Sequence, residues 1–154
     1  MRLRLQRTAT AGAVVTEESP ANRRKGATMQ YEWLDDYLLS LPGAEKDYKA
    51  EWGWIRYQLR GKLFAAVCTP GAEHGIYAGH DLVNLKCVPE RGALLRLDCP
   101  EILPGFYMNK RSWIACLLDR GLPEETLRQL CAESHRLVLE TLPKYVRRDI
   151  LNPF

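Results

Sequence analysis

Basic and amide side chains gather around two predicted turns, which is a pattern that could contact a phosphate backbone. Lysine and arginine bind phosphate as charges, and asparagine reads a ligand through its amide. The residues that predict a nucleic-acid-binding surface are Arg56, Arg60, Lys62, Asn109, Lys110 and Arg111. Charges at turns that keep a sheet edge soluble and unpaired are the alternative interpretation. Asn109 has a further alternative, since asparagine makes tight turns by accepting left-handed backbone angles.

Three tryptophans are candidates for contact with a partner. Trp52 and Trp54 are two residues apart, which places them on one face of a strand; if that face is exposed, the pair forms a partner-binding patch. Trp113 could stack on a base or a partner. Its position at the start of an apolar run favours a place in the core instead.

The sequence contains no motif that predicts catalysis or a metal. It lacks Gly-x-Ser-x-Gly, a glycine-rich phosphate loop and His-x-x-x-His. Asp119, at a strand end beside Gly121, is the one acid in a position that enzymes use, although helix capping or turn formation also explains it. Five cysteines without a Cys-x-x-Cys pair argue against a complete disulfide framework and fit a reducing cytoplasm. We therefore predict a protein that is not an enzyme and holds no cofactor or metal.

The positive charge of the chain is concentrated at one end. Of 22 basic and 19 acidic side chains, residues 1–28 hold six and two, whereas residues 29–154 hold 16 and 17, a formal charge of −1. Residues 1–28 lack hydrophobic periodicity and an apolar run of membrane or signal length. We predict a disordered basic extension at 1–28, with Met29 as an alternative start, and one domain at 29–154. We expect a cytoplasmic monomer that does not enter a membrane.

Hydrophobic periodicity predicts the order α-β-β-β-α-β-β-α, with helices that cover one face of a sheet. Apolar residues at helical spacing indicate the helices, and alternating or continuous apolar runs indicate the strands. A last amphipathic turn or two follows Pro143. The helices are predicted at 33–41, 89–97 and 123–142, and the strands at 53–59, 63–68, 81–87, 106–108 and 113–118.

Five short strings, taken in order across residues 29–151, resemble the YjbR/MmcQ family of small bacterial proteins. The resemblance implies a two-layer α+β fold with a mostly antiparallel sheet, similar to bacterial secretion chaperones. The chain departs from the family at Ser112, where members often place a histidine directly before the tryptophan. The strings are Leu41-Pro42-Gly43-Ala44, Gly61-Lys62-Leu63-Phe64-Ala65, Leu85-Lys86-Cys87 with Pro89-Glu90, Met108-Asn109-Lys110 with Trp113, and Leu142-Pro143-Lys144.

The resemblance also implies a function, namely DNA binding through a "double-wing" arrangement of hairpins. The two basic turns are what such wings would need. The domain's formal charge of −1, however, lacks the broad basic surface that phosphate binding normally requires. The alternative is a protein-interaction adaptor resembling secretion chaperones, which binds a partner through the sheet face or through Trp52 and Trp54 and does not bind nucleic acid.

Overall fold

The computed structural model describes residues 31–153. The predicted extension at 1–28 and the alternative start at Met29 lie outside these residues. The helices are α1 (Trp33–Ser40), α2 (Pro89–Asp98), α3 (Glu124–Leu139) and α4 (Lys144–Leu151), with a 3-10 segment at Ala72–Tyr77. The strands are β1 (Glu45–Lys49), β2 (Trp54–Leu59), β3 (Lys62–Cys68), β4 (Leu82–Lys86), β5 (Ile102–Pro104) and β6 (Trp113–Leu117).

The strands form one six-stranded sheet in the order β1-β2-β3-β4-β6-β5. Every neighbouring pair is antiparallel. The α+β fold with its antiparallel sheet, expected from the sequence, is thereby confirmed. No helix within residues 31–153 combines the length and the apolar character that crossing a membrane requires.

The four helices pack on one face of the sheet and bury the main core there. Leu38 of α1, Leu127 and Val138 of α3, and Ile150 of α4 share one buried cluster with the strands. A second, smaller cluster lies on the opposite face. Phe106, Tyr77 and Met108, which belong to connecting segments, supply its cover. Loops therefore cover part of this second face, and the rest of it is open.

Two predictions about the strands were wrong. The edge strand β1 was not predicted, because its sequence Glu-Lys-Asp-Tyr-Lys has no apolar alternation. Residues 106–108 were predicted as a strand, but the strand lies earlier, at Ile102–Pro104. Tyr107 has a φ of 56°, which breaks an extended backbone at that point. The other predicted elements agree with the structure to within three residues at either end.

A buried hydroxyl ties helix α3 to the sheet where the β2–β3 register shifts. The pairing shifts between Tyr57 and Gln58, opposite Phe64. Ser134 Oγ donates to the Phe64 carbonyl at 2.5 Å and accepts the Lys86 N–H at 2.8 Å. One side chain thereby pairs two backbone groups, one on β3 and one on β4.

Candidate ligand-binding groove on the open sheet face

A groove of about 780 Å³ runs along β2 and β3 on the face away from the helices. Alternation along β2 sends Tyr57 and Leu59 into the main core, so that Trp54, Arg56 and Gln58 point into the groove. Within residues 31–153, no helix covers this half of the face. The groove is lined by Glu51, Trp52, Trp54, Arg56, Gln58, Gly61, Leu63, Cys68, Thr69, Pro70, Gly71, Glu73, His74, Phe106, Tyr107 and Met108.

A chain of aromatic contacts forms one wall of the groove. Trp52 contacts Trp54 with ring centroids 5.4 Å apart, and Trp54 lies 6.3 Å from Phe106. Phe106 stacks on Tyr107 at 4.7 Å, and His74 packs edge-on against both rings at 5.0 and 5.3 Å. Edge-to-face and offset contacts are the arrangements that aromatic rings prefer. The wall is therefore pre-formed.

The segment 105–112 carries Phe106 and Tyr107, and a buried asparagine holds it against the sheet. Asn84 Nδ2 donates to the Phe106 carbonyl at 2.9 Å, and the Phe106 N–H donates to Asn84 Oδ1 at 2.9 Å. Lys110 Nζ donates to the Gly105 carbonyl at 2.7 Å and lies 5.5 Å from the Tyr77 ring centre. These bonds hold Tyr107 in its left-handed backbone conformation, which is uncommon for a bulky residue.

The same segment explains Gly105 and the position of Trp113. A Cβ at Gly105 would lie 2.6 Å from Trp113 Cβ, so a side chain there would displace the tryptophan. Trp113 is 8% exposed and belongs to the buried residues of β6. Its core interpretation is therefore confirmed. Its ring is not presented at the surface to a partner.

The structure gives Asn109 the turn-forming role. Its side-chain Oδ1 accepts the N–H groups of Arg111 and Ser112 at 2.9 and 3.1 Å. An asparagine that bonds the backbone two and three residues further on stabilises a turn. Arg111 is exposed and borders a separate hollow with Pro89 and Arg96, away from the groove.

Arg56 lies in the middle of β2 rather than at a turn. Its guanidinium donates twice to Asp47, from Nε to Oδ1 at 2.8 Å and from Nη2 to Oδ2 at 2.6 Å. These hydrogen bonds hold the pKa of Asp47 below its ordinary value and raise that of Arg56. The charge of Arg56 is therefore matched within the molecule.

The β2–β3 turn does present basic side chains. Arg60 and Gly61 have φ angles of 50° and 84°, the pattern of a two-residue type I′ hairpin turn. Arg60 and Lys62 are exposed, and Gly61 lines the end of the groove. The structure thus brings Arg56 to the groove and leaves Arg60 and Lys62 exposed at the turn beyond its end, while Lys110 supports its wall and Arg111 lies elsewhere.

The groove carries carboxylates at one end. The pairing of Ile55 with Val67 puts Glu51 and the residues after Cys68, including Glu73, near the start of β2. The basic turn at Arg60 follows the other end of β2, but Arg60 and Lys62 do not line the groove. A ligand that lies along the strands would therefore meet acidic groups at the end near the start of β2.

Trp52 and Trp54 do not share a strand face as predicted. Trp52 lies in the turn before β2 and is 57% exposed, whereas Trp54 begins the strand and is buried. The other strongly exposed ring of the groove is Tyr107, which is 72% exposed and ends the same chain of ring contacts. Tyr107 was not among the predicted site residues, because the run Phe-Tyr-Met at 106–108 is typical of a strand. An aromatic pair after Pro104-Gly105 was the available signal.

Other reactive side chains are inert or lie outside the groove. Burial, reinforced by Asp81, raises the pKa of the Cys68 thiol to about 12, so it is protonated at neutral pH. Asp119 pairs with His80, its Oδ2 lying 2.9 Å from Nδ1. Among residues 31–153, no three side chains of the metal-binding types converge on one point.

Comparison with known proteins identifies relatives over most of this domain. A family model described as YjbR matches residues 39–137. The Escherichia coli K12 protein YjbR is 28% identical over 115 residues, which cover 75% of this chain and 92% of the relative. The Bacillus subtilis protein YyaQ is 42% identical over 102 residues, which cover 62% and 86%.

Solved structures share the fold. A crystal structure of a Deinococcus radiodurans protein with a DUF419 domain superposes with a TM-score of 0.65 at 24% identity, covering 76% of this chain and 84% of that one. A crystal structure of a Pseudomonas syringae protein gives 0.54 at 23% identity, covering 79% and 99%. Both similarities concern the fold alone.

Proposed function

We propose, from the premise that the chain belongs to the YjbR family, that it is a non-enzymatic adaptor that holds a segment of a partner protein in the groove. One observation carries this proposal. Trp52 and Tyr107 are the exposed rings at the two ends of the chain of aromatic contacts that walls the groove. Exposed aromatic surface beside a pre-formed hollow is typical of a binding site for another molecule.

The backbone at Tyr107 supports the same function. A left-handed conformation at a bulky residue costs on the order of 1–3 kcal/mol and persists only when its surroundings enforce it. Asn84 and Lys110 do so here through bonds to Phe106 and Gly105. The stabilising contacts of this segment thus serve to present an exposed ring.

The charges in the groove favour a protein segment over nucleic acid. Arg56 is matched by Asp47, and the acidic groups that line the groove are Glu51 and Glu73. A phosphate backbone laid along the groove would meet both carboxylates. Nucleic-acid sites instead concentrate unmatched lysine and arginine along the backbone path.

A selection from a random-peptide display library on the full chain tests the proposal. We expect enriched peptides whose binding weakens at least about tenfold in Trp52→Ala and in Tyr107→Gly, because each change removes an anchor ring. Glycine is preferred at the left-handed position, which offsets the loss of the ring contacts with Phe106 and His74, so Tyr107→Gly should remain folded. The matched control is Tyr145→Ala, an exposed aromatic residue of α4 outside the groove. If the peptides bind all three variants with equal affinity, the groove is not the binding site.

A specific observation supports nucleic-acid binding as a second candidate. The β2–β3 turn exposes Arg60, in a left-handed conformation, beside Lys62. Titration of the full chain with single-stranded and duplex DNA at several salt concentrations tests this. If these side chains contact phosphates, replacing both with alanine lowers the slope of the logarithm of the binding constant against the logarithm of the salt concentration by up to about two. An unchanged slope would leave them as surface charge.

A further inference from the structure

The end of the groove near the start of β2 carries both of its lining carboxylates together with aromatic rings. Glu51 and Glu73 line this end together with Trp52, Trp54 and His74. The side chains of both glutamates are largely exposed. Carboxylates beside ring faces are the chemistry that recognises an organic cation.

The molecule already places a cation of its own at this end. Lys49 Nζ lies 5.3 Å from the Trp52 ring centre and 3.9 Å from Glu51 Oε2. Both contacts are exposed and long, so they hold the lysine weakly. Among residues 31–153, the ion pair recorded for Glu73 is with His74, whose Nε2 lies at 3.1 Å.

We infer that the acidic end of the groove binds an arginine or lysine side chain of the partner segment, held between the carboxylates of Glu51 and Glu73 and against the exposed rings of Trp52 and Tyr107. The occupant is thus a basic segment of a partner protein. The charge of the site argues for it, because the short Arg56–Asp47 pair matches the lining cation, whereas Glu51 and Glu73 are largely exposed and the contact of Glu51 with Lys49 is long. This inference rests on the proposed adaptor function and adds the chemistry of the ligand.

The test uses the strongest peptide from the display selection and the full chain. We expect this peptide to contain arginine or lysine. Replacing its basic residue with a neutral isostere, citrulline for arginine, should weaken binding about tenfold, because the isostere keeps the shape and loses the charge. The double variant Glu51→Gln/Glu73→Gln should bind the basic peptide more weakly by a similar factor, and its affinity for the citrulline peptide should equal that of the wild type.

Matched variants separate this site from a general effect of charge. Glu125→Gln/Glu140→Gln makes the same change in net charge on α3 and the residue after it, and should leave the affinity unchanged. Lys49→Met removes the competing internal cation and should tighten the binding of the basic peptide.

Three results would overturn the inference. They are selected peptides without a basic residue, equal binding of the arginine and citrulline peptides, or an equal loss in the groove and control double variants. In each case the adaptor function stands as long as Trp52→Ala and Tyr107→Gly still weaken binding. If the peptides bind those two variants as tightly as the wild type, the proposed adaptor function itself is wrong. DNA that displaces the peptide from the groove would overturn both.

Discussion

Asn84 and Phe106 form a reciprocal pair of hydrogen bonds, each 2.9 Å long, between a side-chain amide and a backbone peptide. Asn84 is fully buried in β4, so its amide replaces the partner strand that residue 106 lacks. The bonds satisfy both backbone groups of Phe106 and fix the start of the groove wall. This one buried side chain anchors the segment that carries Phe106 and Tyr107 to the sheet.

Replacing Asn84 with leucine should therefore destabilise the protein and loosen the wall. Two buried backbone groups lose their partners, at a cost of about 1–3 kcal/mol each. Urea denaturation measures the loss, and the chemical shift of the Tyr107 ring reports the wall. Gln129→Leu on the exposed face of α3 is the control and should change stability by no more than about 0.5 kcal/mol. Equal stability of the two variants would contradict the role of Asn84.

Ser134→Ala should lower the free energy of unfolding by about 1–3 kcal/mol, because the Phe64 carbonyl and the Lys86 N–H both lose their partner. Thermal or urea unfolding measures the change. Ser40→Ala removes a hydroxyl that bonds only the exposed Tyr37 carbonyl, and it should have little effect. If Ser134→Ala leaves the free energy of unfolding unchanged, water or backbone movement satisfies the two backbone groups.

Asp35 should make stability depend on pH in the acid range. Burial acts to raise the pKa of Asp35, but hydrogen bonds from Lys46 and Tyr57 prevail and hold it below its ordinary value. A folded pKa below the unfolded one means that the stabilisation is complete above the unfolded pKa and is lost as the pH falls through the folded one. Asp35→Asn should thus be less stable than the wild type at pH 7, and the gap should narrow below about pH 4.

Asp36→Asn is the control for this titration, since Asp36 is the exposed neighbour on α1. The urea midpoints of the three proteins should be compared between pH 3 and pH 7, a range that includes the ordinary pKa of aspartate. A constant difference between Asp35→Asn and the wild type would refute the contribution of the carboxylate.

Lys110 and Arg111 should differ in their effect on stability although they are adjacent. Lys110→Met breaks the bond to the Gly105 carbonyl and should cost about 1 kcal/mol. Arg111→Ala alters an exposed side chain and should stay within about 0.5 kcal/mol. Chemical denaturation of the two single variants distinguishes them. Equal small effects would mean that Lys110 does not support the wall.

The sequence predicted the helix-covered face well, because its signals are local. Trp113 and the apolar run after it indicated a buried strand, and the periodicity from Leu127 onward indicated a helix. The edge strand β1 was not predicted, because exposed charged residues carry no period-two pattern. Strand β5 was not predicted, because Pro104 suggests a loop, although proline is compatible with an edge strand.

The groove could not be predicted in the same way, because distant residues create it. The left-handed backbone of Tyr107 depends on Asn84, 22 residues away from Phe106 in the chain. The pairing of Arg56 with Asp47 depends on the register of the unpredicted strand β1. Residue types indicated basic turns, but only the fold decides which charges are already matched.

Side chains, rather than a second layer of helices, attach the groove wall to the sheet, and this makes the domain suitable for redesign. Tyr107 and Trp52 are the exposed rings of the wall, while the main core lies beneath the other face. Varying these two positions changes the groove and leaves the buried residues of the core untouched. A library of this size is small enough to screen completely, so new specificities can be grafted onto the existing scaffold.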